Sequence, residues 1–292
     1  MEYINQEFSG ERSLFKQKDI NVTHCKFNFG ESPLKEGRNI KVQNSVFTYK
    51  YPLWYCKNVY VTSTQFIDQA KSGIWYTEDI TVSDVTFDVV KMFRRCNRVN
   101  ISNTKFTKAE ETLWSCKNVE LENVEINGDY FGMNSSNIRA NNITINGNYC
   151  FDGAENIKIT NSTLNSKDAF WNCQNVVLIN CTIIGEYLAW NTDNIQLINC
   201  RIESNQGLCY TTNLSLKDCI FANTDLAFEY SSFKGNATGH ILSIKNPYEC
   251  DFTCEKVDEI IIDDNFIKKG KIKIVQTERG ETYEIWFWKY CW

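Results

Sequence analysis

The sequence predicts an all-β solenoid built from short parallel strands, and three observations lead to this fold class. First, a phrase of the form Asn-Ile-x-Val-x-Asn-small-x-Phe recurs eleven times in the 292 residues. Second, the spacing between copies stays between 19 and 21 residues, and a fixed period of this size is the signature of a solenoid. Third, apolar and polar residues alternate inside each copy, as in a strand with one buried face.

The copies align on a polar residue, here called position 0. It is Asp19, Asn39, Asn58, Asp79, Arg98, Asn118, Asn137, Asn156, Asn175, Asn194 and Asn213. Position +1 is always aliphatic, position +3 nearly always, and position +8 is large and apolar, so these columns are expected to line one continuous core. Asn and Asp dominate positions 0 and +5, where they suit tight corners, and their stacked amides are expected to form ladders.

Each copy therefore predicts one coil of about three strands and three corners, and the chain about 13 coils of 19–20 residues. Residues 1–270 are assigned to the helix, with residues 1–14 as an N-terminal cap. Residues 271–292 contain two strand-like runs around Arg279-Gly280 and are predicted to form a capping β-hairpin. Caps are expected because exposed sheet edges invite aggregation.

Several segments carry a resemblance to a known family. They include Gly30-Glu31-Ser32-Pro33-Leu34-Lys35, Tyr51-Pro52-Leu53-Trp54-Tyr55, Phe93-Arg94-Arg95-Cys96 and Glu186-Tyr187-Leu188-Ala189-Trp190-Asn191. On these, the chain resembles a bacterial family of right-handed parallel β-helix proteins of unknown function, within the pectin-lyase-like superfamily. The left-handed hexapeptide helix is the rival fold, but its strict six-residue triplets are not visible. The resemblance implies no catalytic residues, and it suggests glycans by fold analogy alone.

Composition argues against several classes of partner. The net charge of -5 does not favour nucleic acid or an anionic membrane. No run approaches the roughly 18 apolar residues of a membrane span, and residues 1–15 lack the apolar core of a secretory signal. Thirteen cysteines, an odd number, fall largely in repeat columns. They are expected to be reduced, buried thiols in a cytoplasmic protein.

Position -4 is the column in which the repeat varies most. It reads Lys35, Trp54, Trp75, Arg94, Trp114, Met133, Asp152, Trp171, Trp190 and Cys209. Its charged members favour an outward direction, because unpaired buried charges are costly. Position -2 is small and inward, so this prediction requires a bend between -4 and -2. The alternative is an aromatic stack inside the core. If exposed, the indoles are predicted to bind sugar rings, with Tyr130 and Tyr187 beside them.

The corner before this strand carries the candidate catalytic groups. These are the carboxylates of Asp129, Asp168 and Glu186, with Arg94 as the contact for an anionic substrate. Asp168 and Glu186 lie on adjacent coils, at a separation that suits a glycosidase pair. Asp129 and Glu186 are three coils apart, about 14 Å, which is too far. The alternative is a set of solvated corners, with Arg94 in ion pairs to the next coil.

No metal site and no cofactor are predicted, because neither the two histidines nor the Cys250 and Cys254 pair has the partners a zinc site needs. The leading hypothesis is a protein that binds an oligosaccharide on one lateral face and cleaves it by hydrolysis or elimination if it is an enzyme. The alternative is a non-catalytic solenoid scaffold that binds a protein partner. The oligomeric state is left open.

Overall fold

The structure is a computed structural model, and it describes residues 1–267 and 270–285. All regular elements in these residues are β-strands. In the same residues no helix is long and apolar enough to cross a membrane. The strands belong to two compact units, Met1–Ala154 and Glu155–Trp292, which are described separately below.

The first unit contains strands β1 to β15. Their bounds are β1 Glu2–Ile4, β2 Glu7–Phe8, β3 Lys18–Thr23, β4 Lys26–Phe27, β5 Arg38–Gln43, β6 Val46–Phe47, β7 Lys57–Thr62, β8 Gln65–Phe66, β9 Ile74–Trp75, β10 Glu78–Ser83, β11 Thr86–Phe87, β12 Phe93–Arg94, β13 Asn97–Phe106, β14 Lys117–Asn127 and β15 Ser136–Asn146.

The second unit contains strands β16 to β27. Their bounds are β16 Glu155–Thr160, β17 Thr163–Asn165, β18 Gln174–Ile179, β19 Thr182–Ile184, β20 Asp193–Ile198, β21 Arg201–Glu203, β22 Leu214–Thr224, β23 Ser232–Lys245, β24 Glu249–Cys254, β25 Lys256–Ile261, β26 Ile272–Gln276 and β27 Glu281–Ile285.

Strands one coil apart pair in parallel, in the register of the repeat. In the first unit Ile20 lies opposite Ile40, and Ile40 lies opposite Val59. In the second unit Ile157 lies opposite Val176 in the same way. The chain is therefore a right-handed parallel β-helix of about 14 turns, as predicted except for about one further turn. The right hand is also the normal one for connections between parallel strands.

The corners of the coils lie at the predicted Asn and Asp columns. Every residue at positions 0 and +5 of the eleven copies has a positive φ, from 44° at Ser63 to 57° at Arg98, Asn156 and Asn175. Asn and Asp visit this left-handed region more readily than other residues, which explains their dominance in both columns. Amides in these columns also bond from coil to coil: the Asn180 amide donates to the side-chain oxygen of Asn161 at 3.0 Å. These amides are exposed, so they bond to one another instead of to buried backbone.

The core is formed by the three apolar columns. Position +8 of the first five copies is a stack of fully buried phenylalanines, with ring centroids 4.5 Å apart at Phe27 and Phe47 and 4.7 Å apart at Phe87 and Phe106. Cysteines fill narrow inward positions. The twelve that the structure describes are all buried, free thiols.

The ends of the repeat are also built from strands. At the N-terminus, β1 and β2 pair in parallel with β3 and β4, so residues 1–14 contain the strands of a coil. At the C-terminus, β26 pairs in parallel with β24 and antiparallel with β27, which confirms the predicted hairpin over its described part. Residues 286–292 of the predicted hairpin lie outside the described residues. The domain boundaries, and the role of both segments as caps, stay predictions.

Candidate functional site

The predicted bend lies at position -3, directly after the variable column. Tyr55, Tyr76 and Arg95 occupy this position with φ of 56°, 56° and 51°. The bend reverses the alternation of the strand, so that positions -5 and -2 both face inward. Leu53 and Cys56 are accordingly buried, whereas Trp54 between them is only half-buried. Except for Cys209, which is buried, the variable column therefore lies on the outside of the coils, and the alternative of a core aromatic stack is wrong.

In the first unit the variable column forms a continuous stack of Trp54, Trp75, Arg94 and Trp114. The rings of Trp54 and Trp75 are 5.0 Å apart and inclined by only 8°. The Arg94 guanidinium lies between two indoles, with its carbon 4.7 Å from the Trp75 centroid and 4.9 Å from the Trp114 centroid. Parallel pairing of β9 and β12 sets this geometry, because it places Trp75 opposite Arg94.

The stack leaves little aromatic face for a sugar ring. One face of Trp75 is covered by Trp54 and the other by Arg94. The indole N–H groups of Trp54 and Trp75 donate to backbone oxygens of the next coil, at 2.6 Å to Ser72 and 2.9 Å to Lys91. A sugar platform needs free ring faces. The geometry of Trp75 therefore favours a role in holding coils together, and the sugar-binding role of the tryptophans stays a prediction.

In the second unit the aromatic side chains form a looser series. The ring centroids of Trp171 and Trp190 are 6.1 Å apart, and those of Trp190 and Tyr210 are 4.8 Å apart with a tilt of 36°. Tyr187 meets Trp190 edge-on at 5.9 Å. Its backbone oxygen accepts the Trp171 indole N–H at 2.8 Å. Tyr130, in the first unit, stacks on Tyr149 at 4.8 Å. Apart from the contact of Tyr187 with Trp190, which lies within one coil, these contacts again join neighbouring coils.

The carboxylates of the first unit are engaged by neighbouring groups. Glu111 accepts Arg94 at 2.9 Å and pairs with Lys91 at 3.1 Å, so the Arg94 cation already holds a carboxylate of the protein. Asp129 accepts the backbone N–H of Asn148 at 2.7 Å. The ion pair between Arg94 and the next coil, the alternative weighed from the sequence, is therefore present.

Asp168 and Glu186 have different environments. Asp168 was expected on a solvated corner, but only 2% of its surface is exposed. Glu186 is exposed and pairs with Lys167 at 3.2 Å, and this carboxylate raises the pKa of the Lys167 ammonium. A glycosidase needs two carboxyl groups that face one sugar. The burial of Asp168 and the ion pair of Glu186 argue against such a pair, and the catalytic role of these two residues stays a prediction.

A groove on a sheet face of the second unit was not predicted. Its floor contains a row of outward side chains that lie opposite one another on five successive parallel strands. The row consists of Gln196, Ser215, Lys234, Asp251 and Lys273. The groove has a volume of about 640 Å³, and Asn194, Asn213, Ser232, Glu249 and Lys271 also line it. At about 4.8 Å per strand, the row is roughly 19 Å long.

An irregularity of the repeat accompanies this groove. The register between β22 and β23 shifts twice, between Leu216 and Cys219 and again between Phe221 and Thr224. Gly235, with φ of 134°, lies against the backbone oxygen of Leu216, and a Cβ atom has no room there. The chain therefore needs glycine beside Lys234.

The polar groups of the groove offer both donors and acceptors. Asp251 is 74% exposed and lies 3.7 Å from the Lys273 ammonium. The Ser232 hydroxyl accepts the backbone N–H of Asn213 at 3.3 Å. Lys234 is exposed, and within residues 1–267 and 270–285 it forms no ion pair. No three His, Cys, Asp or Glu side chains in that part of the chain form a group that could hold a metal ion.

The sequence contains one signal that could have located the groove. The residues that lie opposite one another from β23 to β26 include Lys234, Asp251 and Lys273, which are separated by 17 and 22 residues. The eleven regular copies keep to 19–21. The loss of period after Phe221 is visible in the sequence. The shape of the groove, however, depends on how Gly235 packs above Phe228 and Phe233, which the spacing does not predict.

The coils, corners and outward column define a parallel β-helix protein. The model of one family, described as a protein of unknown function (DUF3737), matches residues 1–275. The chain belongs to this family, which confirms the resemblance predicted from the sequence. No curated protein matches the sequence.

Several solved structures are similar in shape. One is the surface adhesin PfbA of Streptococcus pneumoniae, with 9% identity, a TM-score of 0.44, and coverage of 92% of this chain and 90% of that one. Another is an exopolygalacturonase from Thermotoga maritima, with 12% identity, a TM-score of 0.38, and coverage of 91% and 86%. A third is a tailspike of E. coli bacteriophage HK620 in complex with a pentasaccharide, with 8% identity, a TM-score of 0.49, and coverage of 89% and 69%.

Proposed function

We propose that the protein binds an oligosaccharide, without cleaving it, in the groove of the second unit. The row of Gln196, Ser215, Lys234, Asp251 and Lys273 is the observation that carries this proposal. Sugar hydroxyls act as both donors and acceptors, and the row offers an amide, a hydroxyl, ammonium groups and a carboxylate in alternation. Its length of roughly 19 Å exceeds a single sugar ring and suits an oligomer.

The size and chemistry of the groove support a binding site. Its volume of about 640 Å³ lies in the range of about 300–1,000 Å³ that is usual for ligand sites. Parallel strands hold the five side chains on a rigid frame, which lowers the entropy cost of binding. Cleavage has less support, because Asp251 lies beside Lys273, Asp168 is buried and Glu186 is paired with Lys167.

A glycan microarray of neutral and acidic oligosaccharides tests this proposal. Suitable probes are cello-, xylo- and chito-oligosaccharides, with oligogalacturonates and alginate oligomers as the acidic set. Wild-type protein is expected to retain at least one of these classes. Lys234→Ala is expected to weaken that binding roughly tenfold, because it removes a charged hydrogen-bond donor from the centre of the row.

Lys158→Ala is the matched control. Lys158 is an exposed lysine of the same unit, at the same position of the repeat, but it does not line the groove. Its substitution is expected to leave the array signal unchanged. An array without any retained glycan would end the proposal, and equal losses from both variants would place the site elsewhere. Release of shorter products from a retained glycan would show that the protein is an enzyme.

A further inference from the structure

A strip on the first unit, with Tyr55 and Arg95 exposed and Lys35 and Tyr76 half-buried, has the composition of a protein-binding surface. It is formed by Lys35, Tyr55, Tyr76 and Arg95, one residue from each of four successive coils. The two tyrosine rings are stacked at 4.8 Å with an inclination of 4°. Lys35 covers one end of the pair at 5.6 Å and Arg95 the other at 5.8 Å. Tyrosine, tryptophan and arginine are the residues that dominate binding energy in protein interfaces.

The strip is held rigidly from behind. Trp54 and Trp75 meet Tyr55 and Tyr76 edge-on at 6.3 Å and 6.5 Å. The backbone N–H of Tyr55 donates to the Trp75 oxygen at 2.9 Å, and that of Tyr76 donates to the Arg94 oxygen at 2.9 Å. A ligand would therefore meet a surface that is already ordered, and ordering of side chains on binding would cost little.

The two cations at the ends of the strip, Lys35 and Arg95, are available to pair with a ligand. Within the described part of the chain, neither Lys35 nor Arg95 forms an ion pair. Their neighbours differ: Arg94 and Lys91 hold Glu111, and Arg98 holds Asp79. Glu36, which occupies the same position of the repeat as Tyr55 one coil earlier, is paired with Lys16 at 3.4 Å. The strip thus presents two uncommitted cations on either side of an aromatic pair.

We propose that this strip binds a short acidic peptide segment in an extended conformation. Tyr55 is 43% exposed, but each tyrosine has a face covered by the other, so ring edges and cations are what the strip offers. That arrangement suits an apolar side chain flanked by carboxylates better than a sugar ring. Three coil spacings separate Lys35 from Arg95, about 14 Å, which an extended chain spans in about four residues. Two carboxylates with three intervening residues would meet both cations.

A series of fluorescein-labelled peptides tests the spacing. The peptides contain two glutamates separated by one, three or five residues around a central leucine, and lysine replaces glutamate in a control series. Fluorescence anisotropy is expected to show tightest binding for three intervening residues and none for the lysine series. Absence of binding across the glutamate series would overturn the proposal. So would equal affinity at all three spacings, because that indicates non-specific attraction of anions.

Charge reversal locates the site. Arg95→Glu is expected to weaken binding of the best peptide at least roughly tenfold, since it replaces attraction by repulsion. Lys41→Glu is the matched control, because Lys41 is exposed in the same unit at a distant position of the coil. A peptide with lysine in place of one glutamate is expected to bind Arg95→Glu better than it binds the wild type. Equal effects of Arg95→Glu and Lys41→Glu would exclude the strip.

Discussion

Arg94 shows how one charged residue can be part of an aromatic stack. Its guanidinium lies between the indoles of Trp75 and Trp114, with its carbon 4.7 Å and 4.9 Å from the two ring centroids. Glu111 completes the arrangement at 2.9 Å. Arginine suits this position because its planar, weakly hydrated cation stacks on aromatic rings while its edge binds a carboxylate. The Arg94 charge is therefore already paired with a carboxylate of the protein, and its predicted role as the contact for an anionic substrate stays a prediction.

Arg94→Met is expected to lower the free energy of unfolding by about 1–2 kcal/mol, because it removes two cation–π contacts and a charged hydrogen bond. Methionine fits the column, since Met133 occupies the same position of the repeat. Urea denaturation followed by tryptophan fluorescence measures the change. Arg139→Met is the control, because the Arg139 side chain is 78% exposed, and it is expected to cost less than about 0.5 kcal/mol. Equal costs would contradict the stacking role.

The sequence predicted the outward direction of Arg94 but not its partners. The direction follows from the cost of burying a charge, which depends on the residue alone. The position of Arg94 between Trp75 and Trp114 depends on how three successive coils align. A change of one residue in the length of a coil would alter that alignment. For the same reason the burial of Asp168 was missed: the residue type favours solvent, and only the shape of its corner places it inside.

At the scale of an element, the corner is the unit that the repeat preserves most faithfully. Its residues combine two properties, a left-handed backbone and a side chain that bonds to the next coil. At Asn180, φ is 54°, and the amide donates to Asn161 at 3.0 Å and accepts from Asn199 at 2.8 Å. Residue type alone predicted both properties, because Asn is the common non-glycine residue that supports them together.

Two substitutions at Asn180 separate these properties. Asn180→Gly retains the left-handed backbone and loses the amide bonds, so we expect a loss of about 1 kcal/mol in unfolding free energy. Asn180→Ala keeps a Cβ atom in the left-handed region without the polar side chain by which Asn tolerates it, so we expect it to be about 1 kcal/mol less stable than the glycine variant. Urea midpoints of the two variants give the comparison. A glycine variant as unstable as the alanine variant would show that backbone strain is not part of the role.

At the scale of the whole molecule, burial of thiols recurs through both units. Burial raises the pKa of Cys56 to about 12 in the first unit and that of Cys209 to about 12 in the second. The unfolded thiol ionises near its ordinary pKa of about 8.5. Above that pH the unfolded state binds fewer protons than the folded state, so unfolding becomes more favourable as pH rises. The cytoplasmic location inferred from these cysteines stays a prediction.

The free energy of unfolding is therefore expected to fall between about pH 9 and pH 12, and Cys56→Ala is expected to make this fall shallower by up to about 1.4 kcal/mol per pH unit. Urea denaturation at pH 8, 9 and 10 measures the slope. Ser135→Ala is the control, since Ser135 is buried at the same position of the repeat and does not titrate in this range. An unchanged slope in Cys56→Ala would contradict a protonated buried thiol.

The fold was predictable from the sequence over most of the chain because each coil repeats the same local rules. The candidate groove was not, because it lies where those rules are broken. In the regular coils an inward position carries an aliphatic side chain, whereas Gly235 has none and Phe228 and Phe233 pack together beneath at 4.1 Å. The core here is filled by phenylalanines from elsewhere in the coils. Because these residues have no fixed spacing in the sequence, the repeat pattern does not predict this packing.

The central claim is that an oligosaccharide binds on the sheet face of the second unit. Calorimetric titration of a variant with a blocked groove tests this claim most directly. Ser215→Trp places a large side chain in the row that lines the groove. Thr81→Trp is the matched control at the same position of the repeat in the first unit, where neighbouring Tyr60 shows that the column accepts an aromatic residue. With the glycan selected on the array, we predict that Ser215→Trp abolishes the heat of binding and that Thr81→Trp retains it. Undiminished binding by a folded Ser215→Trp variant would contradict the account.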